Sequence, residues 1–210
     1  MLKYETYVLG ELETNCYLIW DEDTKECFII DPADDGVSIS EEIINKGLVP
    51  KGILLTHGHF DHVLGTLDLK LIYNIPIYCN GLDFFLLKRQ DKTVAHFLKR
   101  NITSPNIQKI DMDLQNIAEI NLGDELIEVI ETPGHTPGSV CFYSRKSNLL
   151  FSGDTLFYQL RGRTDLSYSS TDDIYNSLKK LMKLPENTVV LSGHGIETTI
   201  EQESKKYLKD

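Results

Sequence analysis

Three of the chain's six histidines, His57, His59 and His62, fall within six consecutive positions of the stretch THGHFDH, together with Asp61. Neutral imidazole and carboxylate are the usual ligands of zinc-like cations. His57 and His59 are two apart, a spacing that cannot share one helix face but lets an extended or turning loop aim both rings at one point. Asp61 and His62 follow where Val63, Leu64, Leu67 and Leu71 begin a helical pattern, so they point into the same cavity from a helix N-terminus. His135, in the glycine- and proline-punctuated loop TPGHTPGS (132–139), can be held rigidly by its backbone and joins His57 and His59 around a first cation. His194, between Gly193 and Gly195, joins Asp61 and His62 around a second. Asp154, just past the apolar run NLLFS, has two oxygens with which to bridge both. A single buried histidine is usually explained by packing. Five histidines and two aspartates, all at expected strand ends or turns, point instead to a two-metal site.

Elements that bring these residues together are legible in the hydropathy pattern. CYLIWDEDTKECFIID (16–31) is two apolar runs joined by a charged turn, a hairpin ending at Asp31. SVCFYSRKSNLLFSGD (139–154) repeats it and ends at Asp154. After the first hairpin, SISEEIINKG places Ser38 and Glu41 at capping-box spacing, puts Ile39, Ile43 and Ile44 on one face, and offers Gly47 as a stop. The strand GILLT (52–56) then leads to a histidine. In the second half, Ile174, Leu178, Leu181 and Met182 form a helical stripe, followed by the strand TVVLS (188–192) and His194. Both halves run hairpin, aspartate, helix, strand, histidine, which predicts two related βα halves packed sheet to sheet with a site lined by strand-end loops. The segment from Gly81 to Asn116 breaks this order and reads as an insertion near the site, with His96 outside the ligand set.

Bulk composition narrows the function. The 210 residues favour one domain, 1–210, with ordinary globular usage. A formal net charge of -11 repels phosphate backbones and argues against nucleic-acid binding. Lys88, Arg89, Lys99 and Arg100 read as a solvated helix face. No apolar run reaches the ~18 residues of a membrane span, and the N-terminus has no signal-peptide pattern, so a cytoplasmic protein is expected. Cys16, Cys27, Cys79 and Cys141 are widely spaced and fit reduced, buried thiols.

With HGHFDH (57–62), TPGHTPGS, SGDTLF (152–157) and SGHG (192–195) in this order, the chain resembles the metallo-β-lactamase-fold superfamily over most of its length. That resemblance implies an α/β four-layer αββα sandwich. Within the superfamily the chain is most similar to the glyoxalase II group of hydroxyacylglutathione hydrolases, as a short form without the C-terminal helical region. It implies a hydrolase of thioesters, or of related small-molecule esters, with two divalent metals, zinc first and iron or manganese as alternatives. Two cations sharing a water lower its pKa from about 15.7 toward about 7 and so supply hydroxide, with Asp61 orienting it and accepting its proton. Arg163, in GDTLFYQLRGRTDL, stands where glutathione-binding members place a basic residue. Asp165 and the stretch GIETTIEQE replace tyrosines expected nearby, and one helix, roughly 198–208, remains at the end. Arg161 and Arg163 therefore either contact a thiol carrier or pair with Asp165 and loop carbonyls. Asp31 is expected behind the ligands. Two rivals remain: a mononuclear iron persulfide dioxygenase of the same fold, using His57, His135 and Asp154, and a silent metal-binding module.

Overall fold

A computed structural model describes residues 1–102 and 105–207. The first half lays down β1 (Leu2–Leu9), β2 (Thr14–Asp21), β3 (Glu26–Ile30), α1 (Gly36–Asn45), β4 (Val49–Leu54), α2 (Phe60–Val63), α3 (Thr66–Tyr73) and β5 (Ile77–Cys79). Then come α4 (Phe84–Leu87), α5 (Gln90–Phe97) and β6 (Met112–Asp113). The second half adds β7 (Glu119–Leu122), β8 (Glu125–Glu131), β9 (Val140–Ser144), β10 (Leu149–Gly153), the small hairpin β11 (Leu156–Phe157) and β12 (Leu160–Arg161), α6 (Thr171–Leu181), β13 (Val189–Ser192), β14 (Thr198–Thr199) and α7 (Ile200–Tyr207). One sheet runs β1-β2-β3-β4-β5-β6 and the other β14-β13-β10-β9-β8-β7.

Strand periodicity explains the layers. In β2, Cys16 and Leu18 face one core while Tyr17 and Ile19 face another; in β9, Cys141 and Tyr143 part in the same way from Val140 and Phe142. Because both faces of these strands are covered, their sequences read as unbroken apolar runs rather than alternating ones. The outer core sets α1 and α3 against the first sheet through Ile39, Ile43 and Leu69. The middle core lies between the sheets, around Phe28, Leu54, Phe142 and Phe151. The third sets Ile174, Leu178, Leu181 and Met182 against the second sheet. Each fully buried aliphatic or aromatic side chain contributes ~1.5–3 kcal/mol, so the αββα sandwich rests on three apolar interfaces. All four cysteines are buried and free.

The expected hairpins and the strands leading to His57 and His194 are present, and the two halves mirror one another: β3 pairs parallel with β4, and β10 parallel with β13. Several local expectations are corrected. Asp35, not Ser38, caps α1, taking the Ser38 N–H at 3.1 Å, because the helix begins one turn earlier than the capping-box reading. Ile44 is exposed. The helix expected from Val63 to Leu71 is two helices broken at Gly65, whose N–H donates to the Pro32 carbonyl at 2.8 Å. That break rotates Leu71 to solvent and turns Leu69 inward. β1, unforeseen, pairs along its whole length with β2. Of the helix expected over 198–208, residues 198 and 199 form β14 instead, and Leu208 lies outside the described residues, as do Thr103 and Ser104 of the 81–116 segment.

Candidate metal centre

Every residue of the cluster hangs from a strand end on one rim of the sandwich, the crevice outside the carboxyl ends of parallel strands where α/β sheets place their ligands. Asp31 follows β3, residues 57–62 follow β4, Asp154 follows β10 and His194 follows β13; His135 sits between β8 and β9. Glycine permits the closeness. A Cβ on Gly193 would lie 2.3 Å from Asp154 Oδ1 and 2.7 Å from His62 Cε1. Gly153 has φ 48°, and a Cβ there would meet Thr56 Oγ1 at 2.4 Å.

Two triads result. His57, His59 and His135 bring one nitrogen each to a common point, with His59 Nδ1 at 3.0 Å from His57 Nε2 and 2.9 Å from His135 Nε2. Asp61, His62 and His194 form the other, with Asp61 Oδ2 at 3.3 Å from His194 Nε2 and 3.6 Å from His62 Nε2. Asp154 stands between them: Oδ2 is 3.4 Å from His135 Nε2, and Oδ1 is 3.4 Å from His62 Nε2. All seven residues expected from the sequence are thus brought together, and His96 is not among them.

Outward hydrogen bonds fix which way the rings present their lone pairs. Thr56 Oγ1 donates to Asp31 Oδ2 at 2.6 Å and so accepts from His57 Nδ1 at 3.0 Å. His135 Nδ1 donates to the Arg163 carbonyl at 3.0 Å, His62 Nδ1 to Asp31 Oδ2 at 2.9 Å and His194 Nδ1 to the Glu13 carbonyl at 3.3 Å. Four rings therefore turn Nε2 lone pairs toward the cluster centre. Two inward atoms, His62 Nε2 and Asp154 Oδ1, are buried without a hydrogen-bond partner among the described residues. Ring nitrogens and carboxylate oxygens that converge in a buried site, two of them without a hydrogen-bond partner, are satisfied together by a bound cation, so this donor set fits divalent metal. Asp31 also lies near His57 and His62, but its oxygens are engaged by the Thr56 N–H, Thr56 Oγ1 and His62, which places it behind the cluster.

The electrostatics divide in the same way. Burial and the neighbouring imidazoles hold His57 well below the ordinary histidine range. Burial, then His135, push His59 down to about 3. Burial opposes a charge on His62 too, but Asp154 and Asp61 outweigh it and raise its pKa well above the usual value. Burial likewise works against ionised Asp154 and Asp61, yet His62 holds both carboxyls below the carboxylate range, Asp154 far below.

Three contributors were not foreseen. Asp83, fully buried, accepts from the Gly58 N–H at 2.9 Å, the Gly138 N–H at 2.7 Å and Thr136 Oγ1 at 2.6 Å, tying the loop of His57 to the loop of His135. Tyr168 Oη lies 2.8 Å from His59 Nε2. Asn15 Nδ2 donates to the carbonyls of Ser192 and Gly195 at 2.9 and 3.0 Å, fixing the loop of His194. Nothing in the sequence marked Asp83, Tyr168 or Asn15, because each acts on a partner far along the chain. The two arginines are otherwise engaged. Arg163 makes a bidentate pair with Asp165 at 2.7 Å for each bond, and Arg161 donates to the Gly162 carbonyl and lies over the Tyr175 ring.

The sequence profile described as the metallo-beta-lactamase superfamily matches residues 9–194. The chain belongs to the metallo-β-lactamase superfamily. It is 35% identical over 211 residues to the probable metallo-hydrolase YqgX of Bacillus subtilis, covering 99% of this chain and 98% of that protein. It is 34% identical over 209 residues to the hydroxyacylglutathione hydrolase GloC of Haemophilus influenzae, covering 97% and 96%. Among solved structures, the BLEG-1 B3 metallo-beta-lactamase superposes with a TM-score of 0.89 at 35% identity, covering 98% of both chains. TTHA1623 in a di-iron-bound form gives 0.84 at 33% identity, covering 96% of this chain and 97% of the other. The superfamily and its His and Asp groups make this a metal-dependent hydrolase of that fold. Among the described residues, no helix is long and apolar enough to cross a membrane.

Proposed function

We propose that this chain is a binuclear, glyoxalase II-like thioesterase acting on small-molecule thioesters in the cytoplasm, without nucleic-acid or membrane partners. The observation that carries the reading is Asp154, whose two oxygens face two different triads. His57, His59 and His135 would hold one divalent cation and Asp61, His62 and His194 the other, Asp154 contributing to both; zinc suits this donor set, and the di-iron relative makes iron the alternative. When bound, the pair supplies Lewis-acid polarisation and an activated water. The side chains do the rest. Asp61 Oδ2, ionised and beside His62 and His194, orients the attacking water and takes its proton. His62 and His57 are locked from behind through Asp31 and Thr56, so the donors need no reorganisation during turnover. The hydroxyacylglutathione hydrolase among the relatives supports thioester chemistry.

Metal analysis of purified protein joined to a panel of thioesters, lactones and phosphodiesters tests this. Two metals per chain and selective thioester hydrolysis are expected. One metal per chain at saturation would favour the mononuclear iron alternative, and no turnover across the panel would leave a silent metal-binding module. S-lactoylglutathione should show a high KM. Arg163 is exposed and already paired with Asp165, so Arg163→Ala should change kcat/KM about fivefold or less. A micromolar KM that collapses in this variant would contradict the proposed weak carrier contact.

A further inference from the structure

Two clefts open from the metal centre, both touching His135, Asp154, Arg163 and His194. One, of about 610 Å³, lies under β11 and β12 against Phe157, Tyr158 and Ile196. It shares Leu160, Arg161 and Arg163 with an open groove that also carries Tyr175, Lys206 and Tyr207. The other, of about 310 Å³, is walled by Leu12 of the β1–β2 turn, Phe60 of α2, Phe97 of α5, and Leu166 and Tyr168 of the segment before α6. Phe97 stacks on Phe60 with ring centroids 6.1 Å apart, and Phe85 closes edge-on against Tyr168 at 5.4 Å.

Phe97 and Leu12 are 50% and 44% exposed, large apolar side chains held at the mouth of a site whose floor is charged. Water gains little from such a rim, whereas an apolar ligand removes it from solvent. The larger cleft continues into a polar groove and suits the part of a substrate that extends onward. The smaller one, walled by helix and loop, shares only Arg163 with that groove and suits a group that ends. Resting on the thioesterase reading above, we infer that the cleft walled by Leu12, Phe60, Phe97 and Leu166 is an acyl-chain subsite, and that the preferred substrates carry a medium-length aliphatic acyl group rather than a short hydroxyacyl group.

The test is a homologous series of acyl thioesters of one small thiol, N-acetylcysteamine, from acetyl to octanoyl, with the lactoyl ester beside them, on metal-loaded protein. Each added methylene should raise kcat/KM about three- to fourfold until the cleft is full, mostly through KM. Phe97→Ala, at a half-exposed position where folding is not at stake, should cut the octanoyl-to-acetyl ratio at least tenfold; Leu12→Ala should lower it less. A flat series, or a preference for lactoyl over butyryl, overturns the inference. Should no thioester be hydrolysed, the thioesterase reading fails by itself. Calorimetry then decides the cleft: octanoate binding more tightly than acetate, with the advantage lost in Phe97→Ala, upholds an acyl subsite, and equal affinities overturn it.

Discussion

The two triads use the same residue types in opposite ways. His57, His59 and His135 sit in a closely packed pocket: His57 and His135 are 1% and 2% exposed, burial holds the pKa of His57 and His59 low, and Asp83 pins the loops that carry His57 and His135. Asp61, His62 and His194 hold together by charge, with a carboxylate inside the triad and the more open His194 resting on a 3.3 Å contact to the Glu13 carbonyl. One triad is organised by geometry before any cation arrives; the other is organised by the attraction between its members. The difference lies in what surrounds the imidazoles, because the ring is the same in both.

That contrast can be broken most forcibly at the residue both triads share. Asp154→Ala should lower bound metal from the proposed two per chain to below one, and hydrolysis by about three orders of magnitude, measured by metal analysis and steady-state kinetics. Loss confined to one triad would show that Asp154 belongs to that triad alone. Next in size, Asp83→Asn should weaken cation binding at the three-histidine triad by about 10- to 100-fold, read by competition with a chelator. The acidic triad should change little, since among the described residues the Asp83 carboxylate bonds to the loops of His57 and His135. Equal weakening of both would mean that the rim moves as one piece.

The smallest effect is in pH dependence. In metal-stripped protein His59, with a folded pKa of about 3 against an unfolded value near 6.5, binds fewer protons folded than unfolded. Stability should therefore fall as pH drops below about 6.5, by on the order of 1 kcal/mol at pH 5.5 for this group, and His59→Gln should remove that increment in urea melts. His62 has the opposite sign. Its raised pKa contributes stability below about 6.5 that is lost as pH rises through the folded value. Identical acid profiles for wild type and His59→Gln would show that the rigid triad does not enforce neutrality.

How much of this was legible depends on how each residue acts. HGHFDH announces itself because its donors are contiguous, and His135, Asp154 and His194 because each follows an apolar strand into a glycine-rich turn. The hairpins were readable for the same reason: their pattern is local. Asp83, Asn15 and Tyr168 work across the fold, on partners 25, 177 and 109 positions away, and no local pattern encodes such a pairing. The errors have a similar cause. Leu71 fits a helical stripe, but packing of Gly65 against the Pro32 carbonyl breaks the helix and sends Leu71 to solvent. Ser38 has the spacing of a cap, yet Asp35 in the left-handed region takes that place.

The bonds from Asn15 to the carbonyls of Ser192 and Gly195 also set a timetable during synthesis. At ~5–20 residues per second, the ribosome needs roughly ten to thirty-five seconds to add the 177 residues separating Asn15 from Ser192. Early in that interval β2 is completed and can pair with β1, and the crowded histidines after β4 follow. His194, the ring that closes the acidic triad, is made after every other residue of the two triads. The nascent chain thus passes through a stage in which three histidines of the first half are already made while neither triad can close, because His135 and His194 both belong to the second half.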